Sequence, residues 1–157
     1  MKYHDSSFVD FKCGHCQHIV SSAHMVSGVN NRNHCPYCLW SCHLDLFEAG
    51  DRLSACKGQM KPIGLTMKKS RNKYRLRSGG ELMLIHACVE CGSLSINRLA
   101  ADDDPDSVIR TFRTFESLSL QIRAACESEG IVIIDDPESV YVQLYGQTAS
   151  QPTIEYA

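Results

Sequence analysis

The sequence predicts a small, mainly β fold stabilised by metal, with a helix and two short strands appended at its C-terminal end. Three observations predict it. Cysteines recur as Cys-x-x-Cys pairs at Cys13/Cys16, Cys35/Cys38 and Cys88/Cys91. Short alternating segments, separated by Gly and Pro, surround those pairs. From Asp106 onward the apolar period changes to a helical one. Two thiolates separated by two residues converge on one tetrahedral ion, and two such pairs complete a four-sulfur shell.

Taken in order, Phe8–Lys12 and Ile19–Ser21 read as short strands around the Cys13-Gly14-His15-Cys16 turn. Gly14 lets the backbone fold so that amides face the sulfurs. Val26–Asn33 is a polar loop. Cys35-Pro36-Tyr37-Cys38 is the second turn, with 18 residues between Cys16 and Cys35. A strand from Leu39 to Phe47 follows, with Cys42, Leu44 and Leu46 on one face and Ser41, His43 and Asp45 on the other. Gly50–Pro62 is turn-rich and delivers Cys56. Ile63–Arg77 reads as a β-ribbon or a mobile loop, and Glu81–Ala87 as a strand that runs into Cys88-Val89-Glu90-Cys91-Gly92. Behind a cap at Asp106 or Ser107, the residues Val108, Ile109, Phe112, Phe115, Leu118 and Ile122 fall at helical spacing, and Gly130 ends that helix. Ile131–Ile134 and Val140–Tyr145 read as the two strands. The chain thus divides into a double zinc ribbon over 1–104 and an acidic αββ extension over 105–157.

With 157 residues, 43% hydrophobic and 22% charged, the composition is that of an ordinary globular protein. No apolar run approaches the roughly 20 residues of a membrane span. The N-terminal residues lack the charged and apolar regions of a secretory signal, so a cytoplasmic protein is expected. Nine cysteines in such a chain point to metal or redox chemistry rather than to disulfides. The small net charge conceals an asymmetry: residues 1–100 carry 13 Lys+Arg and 7 Asp+Glu, whereas residues 101–157 carry 3 and 11. Two filled metal sites lower the charge of the first part to about +3, which suits contact with phosphate but not the coating of DNA.

The first site is assigned to Cys13, Cys16, Cys35 and Cys38. The second is anchored by Cys88 and Cys91, with Cys56 as third ligand and His43 as fourth, and with His86 and Cys42 as rivals for the fourth place. Zn²⁺, two per chain, is the expected metal, although iron also suits a four-thiolate shell. Closed shells of this kind are structural, and no catalytic residues are assigned. Asp45 and Glu90 lie near ligands as supporting carboxylates, and no His-x-Glu occurs that would signal a deaminase. The redox alternative is a thiol–disulfide oxidoreductase using Cys35-Pro36-Tyr37-Cys38, which requires a helix N-terminus at the tetrapeptide.

Candidate nucleic-acid contacts are Arg32, Lys68, Lys69, Arg71, Lys73, Arg75, Arg77 and Arg98, with Tyr74 among them for stacking. Arg32-Asn33 and Asn97-Arg98 also admit a structural role, with Asn satisfying loop amides and Arg bridging to Asp102 or Asp103. The stripe from Val108 to Ile122 is a packing face or, alternatively, the groove-filling face for a protein partner. Cys126 reads as a core residue.

The string Arg32-Asn33-His34-Cys35-Pro36 resembles the signature of the RNHCP domain family. The resemblance continues through Cys13-x-x-Cys16, Cys38-Leu39-Trp40-Ser41, His43-Leu44-Asp45, Gly50-Asp51-Arg52, Cys56-x-Gly58-x-Met60-x-Pro62-Ile63, His86-x-Cys88-x-x-Cys91-Gly92 and Asn97-Arg98, ending near Asp102–Asp104. It implies a double zinc ribbon and no settled activity. Family members usually carry another residue where Cys42 stands, which favours His43 as the ligand. The expectation is a non-enzymatic zinc protein that binds RNA, or a ribonucleoprotein such as the ribosome, through its basic loops.

Overall fold

The computed structural model describes residues 10–48, 50–69 and 80–146. The start of the strand expected from Phe8, and Arg71, Lys73, Tyr74, Arg75 and Arg77, lie outside them. Strands β1 (Phe11–Lys12) and β2 (Ile19–Val20) pair antiparallel on either side of the first cysteine turn. After a single helical turn, α1 (His24–Ser27), comes a four-stranded antiparallel sheet in the order β3-β4-β5-β6. Its members are β3 (Ser41–Cys42), β4 (Gln59–Lys68), β5 (Glu81–Cys88) and β6 (Leu94–Arg98).

The strand expected over Leu39–Phe47 shrinks to Ser41–Cys42. Leu39 takes a left-handed φ of 63°. Beyond His43, two carboxylates compete for the backbone. Asp45 accepts from the amides of Gly50 and Arg52, and Asp51 from those of Leu46, Phe47, Glu48 and Leu53. Amides bonded in this way cannot join a ladder. In β4 the register shifts between Pro62 and Gly64, where Pro lacks the N–H that a regular ladder requires.

Strand β5 is buried on both faces, which explains its unbroken apolar run. One face, with Leu82 and Leu84, joins Leu65, Leu39, Val108, Phe112 and Val140 in the main core. The other, with Ile85, packs with Ile63 and Cys126, flanked by Ile122, Ile131 and Ile133. Both covers come from the segment after residue 104. The apolar stripe from Val108 to Ile122 therefore faces the sheet, and Cys126 is a core residue.

Helices dominate that segment, and two expectations are corrected. The single helix is divided into α2 (Pro105–Arg113), a 3₁₀ turn (Thr114–Ser117) and α3 (Leu120–Ser128). The cap of α2 is Asp104, which accepts from Ser107 N, with Pro105 at the first helical position. Ser119 caps α3 by accepting from Ile122 N, which restarts the helix. The pair of strands is absent from the described residues. Val140–Tyr145 belongs to α4 (Pro137–Tyr145), capped by Asp136 and closed by Gly146 at φ 70°. Its Val-Tyr-Val-Gln-Leu-Tyr run alternates, but the Asp-Pro start and the burial of Val140 together with Leu144 select the helix. Ile131–Ile134 is extended and holds to the sheet through Ile134 N–H donating to Leu65 O at 2.8 Å.

Candidate metal centres

The three Cys-x-x-Cys turns share one backbone design. In each, the amide four residues after the first cysteine donates to that cysteine's carbonyl: Gln17 to Cys13, Leu39 to Cys35 and Gly92 to Cys88, at 3.0, 2.8 and 2.9 Å. The first cysteine's own amide donates to the carbonyl five residues on, to His18, Trp40 and Ser93, at 2.8, 2.9 and 2.9 Å. The residue after the second cysteine is left-handed each time, Gln17 at φ 68°, Leu39 at 63° and Gly92 at 76°. Side chains disfavour that conformation by roughly 1–2 kcal/mol. At Leu39 the cost is offset by complete burial in the main core.

The first and second turns face each other. The sulfurs of Cys13, Cys16, Cys35 and Cys38 all lie within 4.8 Å of one another. Cys13 Sγ is 3.6 Å from Cys38 Sγ, and Cys16 Sγ is 3.5 Å from Cys35 Sγ. A zinc ion with bonds of about 2.3 Å places tetrahedral sulfurs roughly 3.8 Å apart, so the spacing fits. Every cysteine in the chain is a free thiol. Cys16 N–H points at Cys13 Sγ, 3.5 Å away, the orientation that Gly14 was expected to permit. Val20 and Phe11 roof the cluster. Burial pushes the Cys35 thiol up to about 11 and raises Cys38 as well, despite backbone amides that favour the thiolates. Cys13 and Cys35 are buried and Cys16 and Cys38 half-buried, so four thiolates at this spacing are held together by a cation. Residues 36–38 form a turn and open no helix, so the feature that activates a redox thiol is absent from this tetrapeptide.

The third turn meets His43 and Cys56 in a second cluster, with one ligand atom from each of His43, Cys56, Cys88 and Cys91 within the same 4.8 Å limit. Cys56 Sγ is 3.6 Å from Cys88 Sγ, and His43 Nδ1 is 3.3 Å from Cys91 Sγ. Two backbone bonds converge on Gly58 and Gln59: His43 N–H donates to Gly58 O at 2.8 Å, and Val89 N–H donates to Gln59 O at 2.9 Å. Gly58 is required here by space, since a Cβ would sit 2.9 Å from Cys88 Sγ and 2.7 Å from Glu90 Cγ. Ligand-motif reasoning missed this glycine, although its place two residues after Cys56 is a signal.

Both rivals for the fourth ligand have other work. His86 is fully buried, and its Nε2–H donates to Leu39 O at 2.7 Å while Asn97 Nδ2 donates to its Nδ1 at 2.9 Å. Burial pushes its pKa down to about 4, so it is a neutral bridge between two strands and the second turn. Cys42 Sγ donates to Lys57 O at 3.5 Å, outside both clusters. Asp45 gives its oxygens to loop amides and to Asn33 Nδ2, so it is no base.

The Arg-Asn-His-Cys-Pro string is a clamp on the first centre. Arg32 is buried, donates to Ser21 O and His34 O, and forks onto Asp102 with two contacts of 2.9 Å. His34 Nε2–H donates to Asp103 at 2.8 Å, and Asp104 N–H donates to Pro36 O at 2.9 Å. Asn33 holds Asp45 and Arg52. Arg32 is thus withdrawn from the candidate phosphate contacts, because a guanidinium with no exposed surface and a bidentate carboxylate cannot reach RNA. Arg98 is exposed but paired in two places with Glu81, at 2.9 and 3.1 Å. Lys68 and Lys69, at the end of β4, are exposed.

Fold and ligand sets together define a small β protein whose two centres are compatible with two zinc ions. The chain belongs to the RNHCP domain family, whose model matches residues 8–109. That match takes in both ligand sets and runs into α2. No curated protein and no solved structure matched the chain. No helix among the described residues is long and apolar enough to cross a membrane.

Proposed function

We propose that this zinc-binding protein is a non-enzymatic RNA-binding module that acts on RNA alone or within a ribonucleoprotein such as the ribosome. The observation that carries the reading is the state of its lysines. Lys12, Lys57, Lys61, Lys68 and Lys69 are exposed, and none pairs with a carboxylate among the described residues. Arg32, the buried cation of the same half, is neutralised by Asp102 and Asp103, so the charge left over is on the surface. In the sequence, Lys68 and Lys69 open the run that continues with Arg71, Lys73, Arg75 and Arg77. Metal holds the turns beside Lys12 and Lys57 rigid at small size, which lowers the entropy lost on binding a flexible strand.

The test is the salt dependence of binding to single-stranded RNA, by fluorescence anisotropy. Replacing Lys68, Lys69 and Arg71 with Ala is expected to weaken binding and to reduce the salt slope by about 2, at roughly 0.7 per lost phosphate contact. An unchanged RNA profile removes the basic loop from the reading. No RNA binding by the zinc-loaded protein removes the reading itself.

A further inference from the structure

Resting on the RNA reading, the geometry points to a particular seat for an RNA base: a cleft between the two metal centres, walled by the Trp40–His15 stack. We infer that a nucleotide of single-stranded RNA stacks there, with its flanking phosphates on Lys12, Lys57 and Arg52. The cleft has a volume of about 530 Å³, which accommodates a nucleotide-sized group. Trp40 leaves the second cysteine turn and His15 sits within the first. Their rings stack 4.1 Å apart with planes 5° from parallel, so the pairing of the two turns on one metal builds the platform. Gln59 Nε2 donates to Gly14 O at 3.1 Å, which ties that platform to the strand leading from the second centre.

Charge distinguishes this cleft from its larger neighbour. The larger one, about 840 Å³, is lined by Asp45 and Glu81 among its cations and amides. Two of its pairs are internal, Arg98 with Glu81 and Asn33 with Asp45, while Lys68 and Lys69 in its lining pair with no carboxylate among the described residues. The inter-centre cleft has no carboxylate among its lining residues, and Lys12, Arg52 and Lys57 are all exposed. Lys12 and Lys57 are the unneutralised cations, pairing with no carboxylate among the described residues, whereas Arg52 donates to Asn33 and lies 3.8 Å from Asp45. An aromatic surface beside unneutralised cations suits one base plus its phosphates, because every base offers a π-face whatever its sequence.

Trp40 is the chain's only tryptophan, so its fluorescence reports the seat directly. Zinc-loaded protein is titrated with an oligouridylate of about eight nucleotides, with UMP, the matching DNA oligomer and double-stranded RNA as comparison arms. The expected result is quenching of Trp40 that saturates together with anisotropy for the single-stranded RNA, and that is weak or absent for UMP and for the duplex. Quenching by UMP at the same concentrations, or equal quenching by DNA, replaces the RNA assignment with a free nucleotide or with any single strand and overturns it. Trp40→Leu is expected to lower RNA affinity roughly ten- to hundredfold, and Trp40→Phe to restore most of it. Lys12→Ala with Lys57→Ala, two exposed side chains that each neighbour a ligand cysteine in sequence but belong to neither ligand set, is expected to lower affinity and reduce the salt slope without changing zinc content. RNA binding seen by anisotropy with no change at Trp40, and with full affinity in the Lys12/Lys57 variant, overturns the seat but leaves the RNA reading standing. No RNA binding by any readout overturns both.

Discussion

The two metal centres are built from the same turn but join very different lengths of chain. Site one draws its ligands from residues 13–38, buries Cys13 and Cys35, and is clamped by Arg32 and His34 to the Asp102–Asp104 segment. Site two draws on residues 43–91 and leaves Cys56 and Cys91 exposed. Cys56 lies just before β4 and Cys88 ends β5, so site two closes only when those strands pair. Site one is a local, roofed knot with an ion cluster around it, and site two is an open clasp on a hairpin. One ligand chemistry can therefore serve either as the seed of a fold or as its fastening, depending on which contacts surround it.

The largest expected effect tests that asymmetry. A structural zinc site contributes about 10–16 kcal/mol of apparent binding energy. A whole domain is stable by about 5–15 kcal/mol, so neither ion is dispensable in full. With limiting chelator, the exposed site two is expected to empty first, giving a one-zinc species that retains structure around residues 13–38. Native mass spectrometry with backbone amide exchange follows this. Cys91→Ser is expected to bind one zinc, whereas Cys35→Ser is expected to lose the fold, as read by far-ultraviolet circular dichroism. Loss of the four-sulfur centre first would reverse the proposed roles.

The clamp comes next in size. Arg32→Met leaves Asp102 and the buried Asp103 without their cation, and breaking a buried pair typically costs 3–5 kcal/mol. Arg32→Lys is expected to recover only a small part, since an ammonium cannot reproduce the two-pronged contact with Asp102 while also serving Ser21 O and His34 O. Denaturant unfolding of the zinc-loaded variants measures both. If stability is unchanged, the Arg-Asn-His-Cys-Pro string does not act as a structural clamp.

What could be read from the sequence follows the same division. The cysteine ligands were legible because an ion dictates their spacing; His43 was preferred on a strand period, yet the strand ends at Cys42, and sequence alone left His86 and Cys42 as rivals. Arg32 was not separable beforehand, since a buried ion pair and a phosphate contact use the same side chain, and Asp102 is 70 residues away. The run from Val140 to Tyr145 was misread as a strand because over six residues an alternating pattern and one buried helical face coincide. The packing role of the Val108–Ile122 stripe was legible from its helical period, as Val108 and Phe112 in the core show, whereas Val140 was hidden by its placement in a strand. The Trp40–His15 platform has no periodic signature at all, because it arises only when two turns share a metal.

His86 gives a smaller, pH-dependent effect that sharpens the contrast between the sheet and the centres. Its pKa falls from 6.5 to about 4 on burial. Between those values the unfolded chain holds a proton that the folded one does not, so stability falls as pH drops from about 6.5 towards 4. The loss reaches about 3 kcal/mol at the lower end. Thiolate protonation destabilises the protein in the same direction, so the informative quantity is the difference between wild type and His86→Asn. That difference is expected to shrink as pH falls, by equilibrium unfolding at fixed free zinc. Parallel pH profiles would mean that acid acts through the ligands alone.

The smallest predicted change separates the centres most cleanly. In Gly58→Ala the new Cβ meets three atoms of unequal freedom: Glu90 Cγ at 2.7 Å and Cβ at 3.0 Å, on an exposed side chain, and Cys88 Sγ, 2.9 Å away on a buried one. Glu90 can swing outward, but Cys88 Sγ is fixed by its place in the ligand set. Overpacking of this kind typically costs 1–3 kcal/mol, which corresponds to roughly a ten- to hundredfold loss of zinc affinity at site two. Site one should titrate as before. Adding Glu90→Ala removes the Cγ contact and is expected to restore little, because the sulfur remains. Recovery of full affinity in the double variant would show that Glu90 alone makes the glycine necessary, and that the hairpin clasp tolerates more movement of Cys88 than its geometry implies.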